Sequence, residues 1–264
     1  VGNYTEKYYR ATSLAFSVQM AILPQGASEN LVLVSGSHDL ALELLAERLS
    51  QDQSTPAMYT LPVGSLDGLI ALRQGLCQVS GCHLFDPLGD EYNTSYVRHL
   101  FPGQVMRVVT LAHRQQGLLV ARGNPRGIRS LEDLARYDVV FVNRARGSGT
   151  RLWLDQQLQS LDLDMALIHG YHDEVNTHAQ VAQAVRGGQA DTGLAVLAAA
   201  RKYELDFIPL FDERFDLVMS DSTYETGLLT PALDFLQTAR FRTVLEGLGG
   251  YNSGATGSEV QINL

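Results

Sequence analysis

The stretch Val139-Val-Phe-Val-Asn-Arg-Ala-Arg-Gly-Ser-Gly-Thr-Arg-Leu-Trp-Leu154 decides the fold prediction. Four apolar residues that favour strands run into a polar, glycine-rich loop, and an amphipathic segment follows directly. This order predicts a strand, a tight loop and the start of a helix. The first turn of a helix leaves backbone N–H groups unpaired and carries about half a positive charge. The loop at 147–150 therefore predicts a seat for a small anion.

Two further junctions between an apolar run and a helix carry the same residue types. Ser35-Gly-Ser-His-Asp39 follows the apolar run 31–34 and precedes a strongly periodic segment. Gly64-Ser65 lies between the apolar run 57–61 and another helical segment. Glycine permits a ligand to approach the backbone, and serine and threonine add hydroxyl donors. Three such junctions in one chain predict one ligand that is held from several sides.

The chain is acidic and long enough to bury a large core. It has 264 residues, of which 45% are hydrophobic, and a formal net charge of −9 at pH 7. This size allows one large domain or two lobes. An acidic chain is a poor binder of nucleic acid, so local donors must hold any bound anion. No apolar run is long enough to cross a bilayer, and we predict no membrane insertion.

The two cysteines predict no metal site. Cys77 and Cys82 are five positions apart, and no further cysteine completes a set of four zinc ligands. His83 and His38 do not stand at zinc-motif spacing from them. Two buried free thiols and a disulfide both fit this spacing, so the cysteines leave the redox compartment open.

Strands and helices alternate along two stretches of the chain, which predicts an α/β fold of two lobes with mostly parallel sheets. We assign 1–29 to a lead-in, 30–114 and 215–250 to lobe 1, 115–214 to lobe 2, and 251–264 to an irregular C-terminal tail. Crossings between the lobes are predicted near 112–118 and 211–218. Further predicted elements are strands at 105–111, 116–121, 139–142, 207–210 and 215–219, a short strand and turn at 167–171, and helices at 194–203 and 230–247. Lobes joined by two crossings can close around a ligand.

Several short motifs occur in a fixed order: Ser35-Gly-Ser-His-Asp-Leu40, Gly64-Ser65, Gly81-Cys-His-Leu84, Gly123-Asn-Pro125, Asn143-Arg-Ala-Arg-Gly-Ser-Gly-Thr-Arg151 and Ala190-Asp-Thr-Gly193. Together they resemble the periplasmic-binding-protein-like domain found with helix-turn-helix regulators and molybdopterin-biosynthesis-type proteins. The wider superfamily is the type 2 periplasmic binding proteins, which include molybdate and tungstate receptors. The resemblance extends over residues 30–250.

The resemblance implies a Venus-flytrap fold that senses or delivers a small anionic ligand without catalysis. The implied partner is a fused or associated DNA-binding domain or an ABC transporter. The first role implies the cytoplasm, and the second implies the periplasm or the extracellular space. The chain begins with Val, so we expect a longer or a processed polypeptide. The segment 1–29 is too short for a helix-turn-helix beside a linker, so the regulator role requires a preceding portion.

We predict that ligand contacts come from the three junctions and their flanks. Serine and threonine at these positions also serve as helix caps, and at least one of the nearby arginines is expected to stabilise its lobe instead. The candidate ligand-binding residues are Ser35, Gly36, Ser37, His38, Gly64, Ser65, His83, Arg146, Ser148, Gly149, Thr150, Arg151 and Tyr171.

The leading functional hypothesis is a non-enzymatic domain that encloses molybdate or tungstate, with no other cofactor. The alternative keeps the fold and changes the ligand to an organic carboxylate or a phosphorylated or pterin-type metabolite, which arginine also binds. A third hypothesis is an enzyme that uses His83 or His178. No Gly-x-Ser-x-Gly elbow accompanies these histidines, so we predict no catalytic residue.

Overall fold

The computed structural model describes residues 31–51 and 55–263, and the predicted lead-in at 1–29 lies outside them. The described strands are β1 Leu31–Gly36, β2 Ala57–Pro62, β3 Val79–Cys82, β4 Phe85–Asp86, β5 Glu91–Tyr92, β6 Met106–Val120, β7 Phe141–Arg144, β8 Glu174–Val175, β9 Thr192–Val196, β10 Asp206–Ser220, β11 Tyr251–Asn252 and β12 Glu259–Ile262. The described helices are α1 Leu40–Ser50, α2 Ser65–Arg73, α3 Thr94–Leu100, α4 Gly149–Ser160, α5 His178–Arg186, α6 Leu197–Lys202, α7 Asp221–Glu225, α8 Thr230–Gln237 and α9 Ala239–Gly247.

Two long strands join the halves of the molecule. Ten of the described strands form one sheet in the order β2-β1-β3-β10-β6-β9-β7-β8, and β11 and β12 pair with β6. The antiparallel strands β6 and β10 each contain 15 residues, which span about 50 Å. In lobe 1, β10 pairs with β3 beside the parallel strands β1 and β2. In lobe 2, β6 pairs with β9 beside the parallel strands β7 and β8.

The molecule is therefore a two-lobed α/β protein with mostly parallel sheets and flanking helices. The lobe bounds assigned from the sequence stay a prediction. The prediction of two separate strands on either side of each crossing is wrong, because β6 and β10 run through without a break. Register shifts between Pro209 and Phe211 and between Phe215 and Asp216 lie at the two ends of the segment that passes between the lobes. Such irregularities bend and twist a strand pair without ending it.

Three other predicted elements differ in the structure. Residues 194–196 belong to β9, and α6 begins only at Leu197. The short strand and turn predicted at 167–171 contains only the turn, which follows the 3₁₀ helix Met165–Leu167. The predicted helix at 230–247 is two helices, because Thr238 adopts an extended backbone and caps α9 through the Phe241 amide.

The C-terminal tail is not irregular, since β11 and β12 extend the sheet along β6. The Tyr251 side chain is buried, and its hydroxyl donates to Asp39 at 2.7 Å. A buried aromatic ring and a row of ladder hydrogen bonds compensate the entropy lost when the tail is ordered. The tail thus reaches the start of α1, where the candidate site lies.

Candidate functional site

The three glycine–hydroxyl junctions meet at one place between the lobes. The hydroxyl oxygens of Ser37 and Ser65 lie 2.8 Å apart. The Leu66 amide of lobe 1 donates to the Gly147 carbonyl oxygen of lobe 2 at 3.2 Å. Helix starts on opposing lobes therefore face the same cleft.

Glycine permits this close approach of the two lobes. A Cβ atom on Gly64, which has a φ of +102°, would lie 2.9 Å from the Gly147 carbonyl oxygen. A Cβ atom on Gly149 would overlap the carbonyl oxygen of His83. Larger residues at either position would push the lobes apart.

Some hydroxyl groups of the cleft cap a helix, and others do not and are available for other partners. Asp39, and not Ser37, caps α1, and its carboxylate accepts from the Ala41 amide at 2.8 Å. The Ser37 hydroxyl is therefore not consumed by its own helix. Ser148 caps α4 and accepts from the Arg151 amide at 3.2 Å, which is the ordinary role of serine at a helix start.

His83 connects the two serines to the strand β10. Its Nε2 atom lies 3.1 Å from the Ser37 hydroxyl oxygen, and its Nδ1 atom lies 2.8 Å from Glu213. Its backbone amide donates to the Ser65 hydroxyl oxygen at 3.2 Å. Burial lowers the pKa of His83, against the opposing effect of the Glu213 carboxylate.

A buried polar network on β6 and β10 ties the starts of α1 and α4 to the hinge strands. Glu213 accepts from Arg114 Nε and from Gln116 Nε2, each at 2.5 Å. Arg114 also donates to Asp39, and Gln116 donates to the Thr150 hydroxyl at 3.0 Å. Burial raises the pKa of Glu213, but Arg114 outweighs it and holds that pKa at about 2. Glu213 is therefore an ionised acceptor at neutral pH.

Arg144, at the end of β7, is a buried cation that forms no ion pair within the described part of the chain. Its guanidinium contacts His178 Nδ1 at 2.8 Å and the Asn176 carbonyl oxygen at 2.9 Å. Its Nε atom is buried and has no partner. Burial lowers the pKa of Arg144 to about 9, and Arg114 adds to the shift. Arg144 thus keeps its charge at pH 7, where a buried ion without a counter-ion costs several kcal/mol.

His178 contacts Arg144, and His38 lies beyond it. Burial holds the pKa of His178 well below its usual value, and Arg144 adds to this shift. The ring of His38 lies 6.2 Å from that of His178. The Nε2 atom of His38 is 2.7 Å from Glu43, whereas its Nδ1 atom is buried without a partner. We refer to the following residues as the cleft cluster: Ser37, His38, Ser65, His83, Arg144, Gly149, Thr150 and His178.

Three residues predicted to contact the ligand have other partners in lobe 2. The Arg146 side chain is 73% exposed and lies 3.3 Å from Glu174. Arg151 forms ion pairs with Asp155 at 2.8 Å and Glu174 at 2.9 Å, and it stacks over the Tyr171 ring. The Tyr171 hydroxyl donates to Asp155 at 2.7 Å. The structure therefore does not bring these three side chains into the cleft cluster.

Ser35 and Gly36 lie within β1, directly before the cleft. Ser35 is buried and in register with Ser80 of β3. The Gly36 carbonyl oxygen accepts from the amides of Val63 and Gly64 at 2.9 and 3.1 Å. The backbone of Gly36 thus holds the Gly64-Ser65 junction against the junction at 35–39.

The candidate list omits Arg144, although it is one of the arginines that flank the loop at 147–150 and favour an anion there. The sequence prediction does not include Arg114, Gln116 or Glu213 in the site. Arg144 lies beyond the predicted strand 139–142, whereas β7 extends to this residue. The polar residues 113–116 separate two apolar runs and were assigned to a crossing between lobes. Arg114 and Gln116 alternate along one strand, and Glu213 is the register partner of Arg114. Residues 113–116 are all polar, so the sequence carries no alternation there; only the structure shows that Arg114 and Gln116 are buried while their neighbours are partly exposed.

Metal binding and reactive thiols find no support in the described residues. Residues 31–51 and 55–263 contain no group of three or more His, Cys, Asp or Glu side chains arranged for a metal. No helix in the same ranges is long and apolar enough to span a membrane.

Cys77 and Cys82 are buried free thiols, and burial raises the pKa of Cys77 to about 11. At neutral pH this thiol is protonated and unreactive.

Two α/β lobes, two connecting strands and a polar cleft define the class of bilobed solute-binding proteins. Residues 46–237 match the PBP superfamily domain, and the chain belongs to this superfamily of periplasmic-binding-protein-like domains. It is 35% identical over 230 residues to the uncharacterized protein YvgK of Bacillus subtilis, a match that covers 87% of this chain and 73% of YvgK.

Solved structures share the fold at low sequence identity. One is described as a phosphate ABC transporter substrate-binding protein from Clostridium perfringens with bound phosphate, at a TM-score of 0.62 and 15% identity, covering 83% of this chain and 98% of that one. Another belongs to the tungstate ABC transporter of Geobacter sulfurreducens, at a TM-score of 0.58 and 13% identity, covering 83% of this chain and 99% of that one. At this level of identity the likeness shows a shared fold.

Proposed function

We propose that the chain binds a small oxyanion, molybdate or tungstate, between its two lobes. The observation that carries the proposal is Arg144, a buried cation whose Nε atom has no partner and which forms no ion pair among the described residues. An anion in the cleft supplies the missing counter-ion and removes the cost of the isolated charge. The guanidinium fork suits oxyanions because it donates along two parallel N–H directions.

The surroundings of Arg144 favour a compact guest. Ser37 and Ser65 contribute hydroxyl groups from lobe 1. In lobe 2, the first turn of α4 contributes the amides of Gly149 and Thr150, whereas the Arg151 amide is bonded to the Ser148 cap. The contact of Gly149 with His83 brings the lobes close together. Tetrahedral oxyanions fit such a narrow cleft better than a metabolite with a large organic part. The phosphate-bound and tungstate-receptor relatives support this ligand class.

Closure of the lobes is the proposed signal of binding. The hinge strands β6 and β10 carry Arg114 and Glu213, which contact the starts of both lobes' helices through Asp39 and Gln116. A closed form is delivered to an ABC transporter or read by an associated DNA-binding domain. The domain itself binds and releases its ligand without chemical change.

Isothermal titration of the protein, purified without phosphate, with molybdate, tungstate, sulfate and phosphate tests the proposal. We expect binding of molybdate and tungstate, and a loss of affinity of about tenfold in Ser37→Ala and in Ser65→Ala. Ser222→Ala, on α7 and outside the cleft cluster, is the matched control and should bind like the wild type. Absence of binding heat with all four anions would contradict the proposal. Tighter binding of a phosphorylated or pterin-type metabolite would favour the alternative ligand class.

A further inference from the structure

The hydrogen bonds of the Ser37–Ser65 pair have a direction that is set by Glu213. Glu213 is ionised and can only accept, so the Nδ1 atom of His83 at 2.8 Å must carry a proton. When the ring is neutral, its Nε2 atom is then a bare acceptor. The Ser37 hydroxyl, 3.1 Å away, donates to it.

The hydrogen bond between Ser65 and Ser37 has the same direction, towards His83. Because the Ser37 proton is used on His83, Ser65 donates its own proton to the Ser37 oxygen over 2.8 Å. The Ser65 oxygen in turn accepts from the His83 amide at 3.2 Å. Both hydroxyl protons are consumed within the chain Ser65–Ser37–His83. Neither hydroxyl can donate to an anion without breaking one of these hydrogen bonds.

One additional proton on His83 reverses this chain. A protonated Nε2 donates to the Ser37 oxygen, and one hydroxyl proton of the serine pair is released for a guest. The positive charge also lies beside the cleft. Arg114 is engaged by both Asp39 and Glu213, so Arg144 is the one buried cation of the cluster that remains for a guest. A doubly charged anion has Arg144 as one positive partner and lacks a second until His83 is protonated.

The environment of His83 keeps its ring neutral as long as no anion is bound. Burial and the guanidinium groups disfavour the charged ring, and Glu213 favours it. The ring stacks on Phe215 with centroids 5.7 Å apart. The titratable or charged groups that act on the ring are Glu213 on β10, Arg114 on β6, Arg144 on β7 and His178 on α5.

We propose that capture of the anion is coupled to the uptake of one proton at His83, which turns the Ser65–Ser37 hydroxyl pair from an internal donor chain towards the ligand. This inference rests on the proposed oxyanion function. The proton comes from solvent and remains on Nε2 while the anion is bound. Because the complex holds more protons than the free protein, binding weakens as the pH rises.

Titration calorimetry with tungstate in Tris and in Pipes measures the proton directly, because the two buffers differ in ionisation enthalpy. Tungstate is a fully deprotonated dianion at neutral and mildly alkaline pH, so a proton taken up there belongs to the protein. We expect uptake approaching one proton per site and a Kd that rises towards tenfold per pH unit. Binding with a buffer-independent heat and a constant Kd would overturn the inference and leave the proposed function intact. If neither tungstate nor molybdate binds, both the proposed function and this inference are contradicted.

Two variants assign the proton to its residue. His83→Gln cannot titrate, so it should bind with no proton uptake and no pH slope, and its thermal unfolding shows whether it is folded. His38→Gln tests another histidine of the cleft cluster, because the His38 Nδ1 atom is buried and has no partner. Uptake that persists in His38→Gln supports His83 as the carrier. Uptake that disappears in His38→Gln overturns the assignment, even if His83→Gln does not fold.

Discussion

Gly149, the first residue of α4 in lobe 2, lies against the backbone of His83 in lobe 1, with no room for a Cβ atom between them. The two residues are therefore the point at which lobe closure is sterically controlled. The hydrogen bond from the Leu66 amide to the Gly147 carbonyl oxygen lies beside this contact. A single methyl group at position 149 tests whether the closed arrangement is the one that holds the ligand.

Gly149→Ala should weaken anion binding by tenfold or more, because overlap with backbone atoms costs about 1–3 kcal/mol and falls on the closed form. Gly247→Ala is the control, since a Cβ atom at Gly247 meets no other atom within 4 Å. Small-angle scattering with and without tungstate measures closure, and calorimetry measures affinity. Compaction of Gly149→Ala by tungstate to the wild-type extent would contradict this interpretation.

Arg144→Met should abolish stabilisation by the anion without destabilising the ligand-free protein. A buried charge without a counter-ion costs several kcal/mol, so an apolar side chain in its place should leave the ligand-free protein at least as stable. Thermal unfolding with and without molybdate measures both effects.

Arg151→Met is the control for Arg144→Met. It breaks the ion pairs with Asp155 and Glu174, so it should lower the melting temperature while it keeps the shift caused by the anion. Arg144→Met that retains the full molybdate shift would exclude Arg144 from the site.

Tyr251→Phe should lower the free energy of unfolding by about 1 kcal/mol, because Asp39 loses one of its buried donors. Tyr59→Phe removes a hydroxyl from a side chain that is 58% exposed and should change little. Urea denaturation of both variants measures the difference. Equal stabilities would show that β11 does not fasten the start of α1.

The lowered pKa of Glu213 predicts loss of stability in acid. Its folded pKa of about 2 lies below the ordinary value of 4.5, so its stabilising contribution is complete above pH 4.5 and is lost as the pH falls towards 2. The contribution is about 3 kcal/mol for a fully buried group. Glu213→Gln, followed by urea denaturation across this range, should show a shallower dependence on pH. An unchanged slope would mean that other carboxylates account for the acid sensitivity.

Much of the fold could be predicted because alternating apolar runs and capped helices are local signals. β1, α1 and the start of α4 follow from patterns within a few residues of each other. The continuity of β6 and β10 could not be predicted, because Arg114 and Glu213 are polar residues that look like a loop until their pairing across strands is known. The ordered tail depends on Tyr251 reaching Asp39, which is 212 residues away in sequence.

The parts of the candidate site that depend on backbone geometry could be predicted from the sequence. The parts that depend on where side chains point could be predicted less well. Glycines beside serines indicated Ser37, Ser65 and Gly149, because close approach of backbones requires glycine. The choice among neighbouring arginines needed tertiary structure. Arg144 and Arg146 are two positions apart, yet the first is 1% exposed and the side chain of the second 73% exposed.

The most direct test of the central claim is an anomalous-difference map from crystals of the protein grown with tungstate. The account predicts one strong tungsten peak between the lobes, within hydrogen-bonding reach of Ser37, Ser65 and Arg144 through the oxyanion's oxygens. A strong peak on an outer surface, or an empty cleft at saturating tungstate, would contradict the claim that donors from both lobes hold one anion.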